Sequence, residues 1–392
     1  MTAARPAAGT GARPLTERDC RLEDLVAVLG DPTEVTDYPH ADAVADGVLV
    51  YEAAAAIDTT GHERRALAAE LAGALADGPG IVLFRGAWPD LSVVDRATAA
   101  FQDMIADQRA AGGAVGDHFA PPGANDRVWN ALEKLALRAP DVFVDYYAND
   151  VLALIATAWL GPGYQVTSQV NVVNPGGAAQ VGHRDYHLGF LPAARIEQYP
   201  AHVHRLSPVL TLQGAVAHGD MPLESGPTLY LPHSQKYLPG YLATGRPEFR
   251  EFFENNHVQL PLRTGDAAFF NPAVIHAAGH NRSAGIRRTA NLLQVSSAFG
   301  RAMESVDRER MCAALYPALQ ARAAAGADVG AAVAAAADGY AFPTDLDRDP
   351  PVGGLAPPTQ ADLVHRALAE GWDHPTFRAE LAAQAARRRS RD

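Results

Sequence analysis

Apolar positions recur at helical spacing across residues 62–77 (HERRALAAELAGALAD), and Gly78-Pro79-Gly80 stops them. The next stretch, Ile81-Val82-Leu83-Phe84-Arg85-Gly86, is short, rich in strand formers and closed by glycine, so it predicts a strand. Residues 92–112 and 128–160 predict further helices, ending at Trp159-Leu160-Gly161-Pro162-Gly163. From 165 to 300 the period changes. The segments QVTSQVNVV, AQVGHRDYHLGF, SPVLTLQGAVAH, GPTLYLPHS, HVQLPLR, DAAFFNPAVIHAA and RRTANLLQVSSA are short and rich in valine, leucine, threonine and phenylalanine. Glycine, proline, asparagine or aspartate separates them, which predicts antiparallel strands closing into a barrel or jelly roll. Residues 303–338 return to an alanine-rich helical pattern, 341–360 are proline-rich, and a last helix over about 360–387 runs into Arg387-Arg388-Arg389. That basic tail is read as a solvated helix end. The expected fold is mainly β with flanking helices. Residues 1–60 are expected to be a partly disordered extension, 61–300 the β domain with a helical insert at 92–160, and 301–392 a helical and proline-rich extension.

Composition narrows the function classes. The chain has 392 residues, 33 lysines and arginines against 45 acidic residues, and a net charge of −12, with no basic block to meet a run of phosphates. Nucleic acid is excluded as a partner on this reading. Cys20 and Cys312 lie far apart and outside any CxxC pair, so neither a disulfide framework nor a zinc knuckle is expected. The first residues lack an apolar signal core, and no stretch of about 18 uncharged apolar residues follows, so a cytoplasmic protein with no membrane segment is expected.

The stretch GHRDYHLGF sets His183, Asp185 and His187 at every second position. On an extended chain, residues i and i+2 share a face about 6.6 Å apart, whereas i and i+4 are about 13 Å apart. Two such side chains can lean onto one ion, but three cannot without bending the chain. One ligand must therefore come from elsewhere, and VIHAAGHNRS offers His276 and His280. His276 ends the apolar run AAFFNPAVI and should still be on the strand, while His280 follows Gly279 in a turn, so His276 is selected. Two histidines and one carboxylate on one side of an ion are the ligand set of non-haem Fe(II) oxygenases. Eleven residues after His276 comes Arg287, a side chain suited to gripping a carboxylate with two parallel hydrogen bonds. Residues 287, 289 and 291 (Arg, Thr, Asn) share one strand face and 288, 290 and 292 (Arg, Ala, Leu) the other. The polar set is expected to line the pocket, which favours Arg287 over Arg288.

With these residues in hand, the chain resembles the phytanoyl-CoA dioxygenase family of Fe(II)/2-oxoglutarate-dependent oxygenases. The matching pieces are Gly80–Gly86, Gln180–His187, Glu224-Ser225-Gly226-Pro227 running to Leu231-Pro232-His233-Ser234, and Gly265–Phe270 through His276, Asn281-Arg282-Ser283 and Arg287-Arg288. The resemblance implies a double-stranded β-helix, Fe(II) held by His183, Asp185 and His276, O2 as oxidant, and 2-oxoglutarate as cosubstrate with its far carboxylate on Arg287. It also places Asn171 against the cosubstrate. Gln213, on the strand VLTLQGAV, is a further candidate to face it, with packing or solvent exposure as the alternative. In one respect the chain departs from the family: Ala278 stands where a small hydroxyl residue is common, two after the distal histidine. Asp185 argues against the related halogenases, which lack that carboxylate. The expected activity is hydroxylation of an unactivated C–H bond of a small molecule with release of succinate and CO2. The alternatives are a cupin-like metal isomerase or dioxygenase that uses no 2-oxoglutarate, and a non-catalytic binding protein.

The remaining candidates lie around this site. His187 and Gln180 are expected near the iron or the substrate, and Trp129 in a segment, 116–135, that covers the substrate mouth. His202, His204, His218, His233 and His280 are read as surface or loop residues, and Glu224 as a turn residue. The acidic balance argues against a coenzyme A thioester as substrate, and the proline-rich C-terminal stretch leaves a homodimer open.

Overall fold

The computed structural model describes residues 13–30, 32–111 and 123–390. Eleven strands are assigned: β1 (Ala43–Ala45), β2 (Val48–Glu52), β3 (Ile81–Arg85), β4 (Asn125–Val128), β5 (Gln165–Val173), β6 (Thr211–Ala217), β7 (Leu229–Leu231), β8 (Val258–Gln259), β9 (Ala267–Phe270), β10 (Ile275–Ala277) and β11 (Arg288–Ser296). They form an eight-stranded sheet in the order β1-β2-β3-β9-β6-β11-β5-β4 and a three-stranded sheet in the order β10-β7-β8. Only the β2–β3 pair of the large sheet is parallel.

Each strand of the large sheet sends alternate side chains to its two faces, and both faces are covered. Outward go Leu49 and Tyr51 of β2, Val82 and Phe84 of β3, Phe269 of β9, Leu212 and Val216 of β6, and Leu293 and Val295 of β11. All join one core with the helices. Inward go Val48, Val50, Ile81, Leu83, Ala268, Phe270 and Ala290, which meet Tyr230 of the small sheet and Leu260 and Leu262 beside it.

Four expectations need correction. Helices hold 46% of the chain, more than strands do, so the fold is a mixed sheet with helices rather than mainly β. The N-terminal stretch is no mere extension, because β1 and β2 complete the large sheet alongside β3. The C-terminal helices (Arg308–Ala324, Gly330–Ala336, Gln360–Glu370 and His374–Arg388) insert Met311, Leu315, Tyr316 and Phe377 into the same core as the outward strand residues, so position 300 does not end the packed unit. Within the expected helical insert, β4 interrupts the helices and pairs with β5. Alanine-rich composition favours helix wherever a strand face is not required, which is why helix outweighs sheet.

The segment AQVGHRDYHLGF is also no strand. It contacts the small sheet through a single antiparallel bridge, His183 with His276. Tyr186 and His187 then adopt φ of 64° and 41°, and a short 3-10 turn follows over His187–Phe190.

Candidate metal centre and its pocket

The bridge is what brings the two histidines together. His183 N donates to His276 O and His276 N donates to His183 O, both at 3.0 Å. Directly opposed antiparallel residues point their side chains the same way, so the rings stand side by side with centroids 4.6 Å apart. Each Nδ1 lies against the carbonyl two residues earlier: His183 against Val181 O at 2.8 Å, and His276 against Val274 O at 2.9 Å. Spending Nδ1–H on a carbonyl fixes the tautomer and leaves each Nε2 lone pair free.

Both Nε2 atoms face Asp185, His183 at 3.6 Å from Oδ1 and His276 at 3.5 Å from Oδ2. Ligating atoms of the three residues all lie within 4.8 Å of one another. Burial alone would raise the Asp185 pKa, but the adjacent His276 and His183 rings and the hydrogen bond from the Gln213 amide outweigh it and hold the carboxyl well below its usual range. Burial, and then the neighbouring His276 ring, lower the His183 pKa, which keeps its imidazole neutral at pH 7.

Gln213 was expected to face the cosubstrate. Its Nε2 instead donates to Asp185 Oδ2 at 2.6 Å, which orients the carboxylate and leaves Oδ1 turned to His183. His187 is turned away from the triad by the bend at Tyr186, and its Nδ1 pairs with Ser207 Oγ at 3.1 Å. Gln180 is likewise structural: its N donates to Ala278 O at 2.9 Å and its Oε1 accepts from Ala278 N at 3.2 Å. Trp129 follows β4, with the Arg127 guanidinium 4.7 Å over its ring. Of the expected covering segment, 116–122 lie outside the described residues, while Asn125–Val128 is strand and Ala131–Arg138 helix.

The largest correction concerns the arginines. Arg287 is half exposed and turned to the rim, where it meets Asp126 at 3.2 Å and Asn174 at 3.2 Å. Arg288 is the one that enters the interior, lining a pocket with Asn171, Ala290, Leu292, Thr228 and Tyr230. The 287, 289, 291 face was expected to be the pocket side because it is polar. It packs on the helices, where Asn291 is fully buried and its amide donates to the Tyr146 and Tyr147 hydroxyls at 3.2 and 3.4 Å. Arg288 Nη1 donates to Gly226 O, and no carboxylate pairs with Arg288 among the described residues. Burial pushes its pKa down to about 10. Asn171 does reach the same pocket as expected, and its Oδ1 is buried without a hydrogen-bond partner. Tyr230 joins pocket and triad, since it lines the former and stands opposite His276 on the paired strands.

Three histidines assigned to surface or loops are buried: His204, His218 and His233. His218 has a complete set of partners on the helix side of the sheet. Thr98 Oγ1 donates to Val94 O at 2.7 Å, so it accepts from His218 Nδ1, also at 2.7 Å, while the Tyr146 hydroxyl lies 2.8 Å from Nε2. Its neutral form is the one this network fits, and burial lowers its pKa to about 3.

A family model described as phytanoyl-CoA dioxygenase (PhyH) matches residues 76–289, which is more than half of the chain. Among solved structures, the non-heme alpha ketoglutarate dependent epimerase SnoN from nogalamycin biosynthesis is 21% identical, with a TM-score of 0.40 over 59% of this chain and 84% of that one. The non-heme alpha ketoglutarate dependent carbocyclase SnoK from the same biosynthesis is 19% identical, with a TM-score of 0.42 over 62% of this chain and 86% of that one. EvdMO1 is 16% identical, with a TM-score of 0.37 over 52% and 44% of the two chains. Comparison with curated proteins finds no significant match. No described helix is long and apolar enough to cross a membrane.

Proposed function

The chain belongs to the phytanoyl-CoA dioxygenase family, and from that premise we propose that it is an Fe(II)/2-oxoglutarate-dependent oxygenase acting on a small molecule. The two facing sheets support reading the core as a double-stranded β-helix. The observation that carries the function is the convergence of two Nε2 atoms, each freed by an Nδ1 contact to a carbonyl, on one carboxylate. Around an ion with bonds near 2.1 Å, neighbouring donors sit about 3 Å apart, so the 3.6 Å between His183 Nε2 and Asp185 Oδ1 needs to close by only a few tenths of an ångström, and all three donors already lie within 4.8 Å of one another. Imidazole and carboxylate donors suit ferrous iron, and three ligands leave half of an octahedral sphere for other groups.

In this reading His183, Asp185 through Oδ1, and His276 hold the metal, and Gln213 fixes the carboxylate. Arg288 takes the anchoring role that sequence spacing had assigned to Arg287. A buried guanidinium without a carboxylate is costly, and an anion entering its pocket offsets that cost. The far carboxylate of 2-oxoglutarate is such an anion, and Asn171 and Thr228 border its path. Bound iron with 2-oxoglutarate supplies the activation of O2, with loss of CO2 and formation of succinate, needed to remove hydrogen from an unactivated C–H bond. The protein's own part is to hold the donors, seat the cosubstrate and keep water from the interior. Return of a hydroxyl is the proposed outcome.

The test is an anaerobic titration with Fe(II) and then 2-oxoglutarate, followed by calorimetry, with succinate measured after admission of air. Tight cosubstrate binding only in the presence of metal, and its loss in Asp185→Ala, are expected. Metal-independent binding of 2-oxoglutarate, or unchanged metal affinity in Asp185→Ala, would overturn the reading.

A further inference from the structure

The inner wall of the large sheet is polar at the end away from Arg288. There Gln294 of β11 lies directly across from Gln213 on β6 and from Thr167 on β5. Alternation puts Gln294 on the same face as Ala290 and Leu292, hence inward. Gln213 ties this patch to the metal ligands through Asp185. Tyr186 follows Asp185 in the chain, and Glu304 is held near it with Oε1 accepting from Asn130 N at 2.7 Å.

Four oxygens here are buried without a hydrogen-bond partner: Gln213 Oε1, Gln294 Oε1, Glu304 Oε2 and the Tyr186 hydroxyl. Tyr186, Gln213 and Gln294 are 2%, 6% and 7% exposed. Buried polar groups are rarely left unpaired, because each one costs about 1–3 kcal/mol. A phenol keeps its proton at neutral pH, so the buried Tyr186 hydroxyl is a donor. The set is thus three acceptors and one phenolic donor. A carboxylate guest would oppose Glu304 and both amide oxygens, and the Arg127 guanidinium is already engaged with Gln169 Oε1 at 2.8 Å. A plain alkyl chain would leave all four oxygens unpaired. Hydroxyl groups both donate to the acceptors and accept from the phenol, and a neutral polyol presents several of them at once.

We infer that the primary substrate is a neutral, polyhydroxylated small molecule, docked by hydroxyls on Gln294 and Glu304 and by the Tyr186 phenol beside the metal ligands. This rests on the oxygenase reading of the site and names its substrate class. The full chain, loaded with redox-silent Zn(II) and 2-oxoglutarate, is titrated by saturation-transfer NMR with three probe sets: methyl glycosides and cyclitols, medium-chain fatty acids, and octanoyl-coenzyme A. Binding is expected from the polyhydroxylated set alone, and should weaken five- to tenfold in Gln294→Leu and in Tyr186→Phe, with each variant's fold checked by its melting curve. No binding from that set, preference for the fatty acids or the thioester, or equal binding in both folded variants would overturn the inference. If 2-oxoglutarate itself fails to bind the wild-type chain, the oxygenase reading fails; if it binds and the glycosides and cyclitols do not, only the substrate inference does.

Discussion

Replacing Arg288 and Arg287 separately by methionine tests which arginine seats the cosubstrate, and the structure sets the size of each effect. Arg288 is buried in a pocket with a backbone carbonyl as its hydrogen-bond partner. A carboxylate entering there would accept charge-assisted hydrogen bonds, each contributing about 1.5–3 kcal/mol. Arg288→Met removes them and leaves the incoming carboxylate desolvated opposite a thioether. The expected loss is roughly 3–5 kcal/mol, or between two and four orders of magnitude in 2-oxoglutarate affinity at about 1.4 kcal/mol per tenfold. In the absence of cosubstrate the sign reverses. A buried charge is replaced by an apolar side chain of similar length, so the ligand-free variant should melt no lower than wild type. Arg287→Met is a rim substitution. Its pair with Asp126 is half exposed on the arginine side, and Asp126 still holds Arg109 through contacts of 2.6 and 2.7 Å, so the expected cost is about 1 kcal/mol of stability or less. Calorimetry of 2-oxoglutarate binding to the Mn(II)-loaded proteins, with melting curves recorded with and without cosubstrate, reads both quantities. An Arg287→Met protein that loses as much affinity as Arg288→Met would refute the assignment.

Further predictions concern the supporting residues. Gln213→Leu removes the 2.6 Å hydrogen bond that orients Asp185, and metal affinity should fall ten- to a hundredfold in a competition titration, with the fold intact. Gly226 has a φ of +72°, and an added Cβ would lie 2.4 Å from His280 O. Gly226→Ala should therefore lower stability by about 1–3 kcal/mol and, by shifting the carbonyl that holds Arg288, weaken 2-oxoglutarate binding as well. For His218, the folded pKa of about 3 lies below the ordinary value of 6.5, so the unfolded chain takes up the proton first as pH falls. Its contribution is full above pH 6.5 and lost at about 1.4 kcal/mol per pH unit from there towards 3. Denaturant unfolding of His218→Gln between pH 6.5 and 4 should show a shallower pH slope than wild type, and an unchanged slope would contradict the buried neutral assignment.

Much of the site was legible in the chain before folding was considered. His183 and Asp185 announce themselves by spacing, and His276 by ending an apolar run, because metal ligation demands particular side chains at short range. His187 stands apart from those three side chains, though not through distance along a strand. A bend at Tyr186, not an extended strand, turns it away. The helix at 62–77 and strand β3 were also readable, since local periodicity and a Gly-Pro-Gly stop do not depend on distant partners.

What the sequence by itself determined, then, was which three side chains, His183, Asp185 and His276, come together, and the local type of the strongly periodic elements. Only the tertiary structure decided which face of β11 looks inward. Alternation separates Arg287 and Asn291 from Arg288, Ala290 and Leu292, but it does not say which set faces the pocket. Polarity is a reliable guide where one face of a sheet meets water; here helices cover one face and the small sheet the other, so Asn291 is buried among tyrosines while Arg288 stands among alanine and leucine. The same loss of contrast hid the contribution of β1 and β2, whose place in the large sheet depends on pairing with a strand that begins about thirty residues later in the chain.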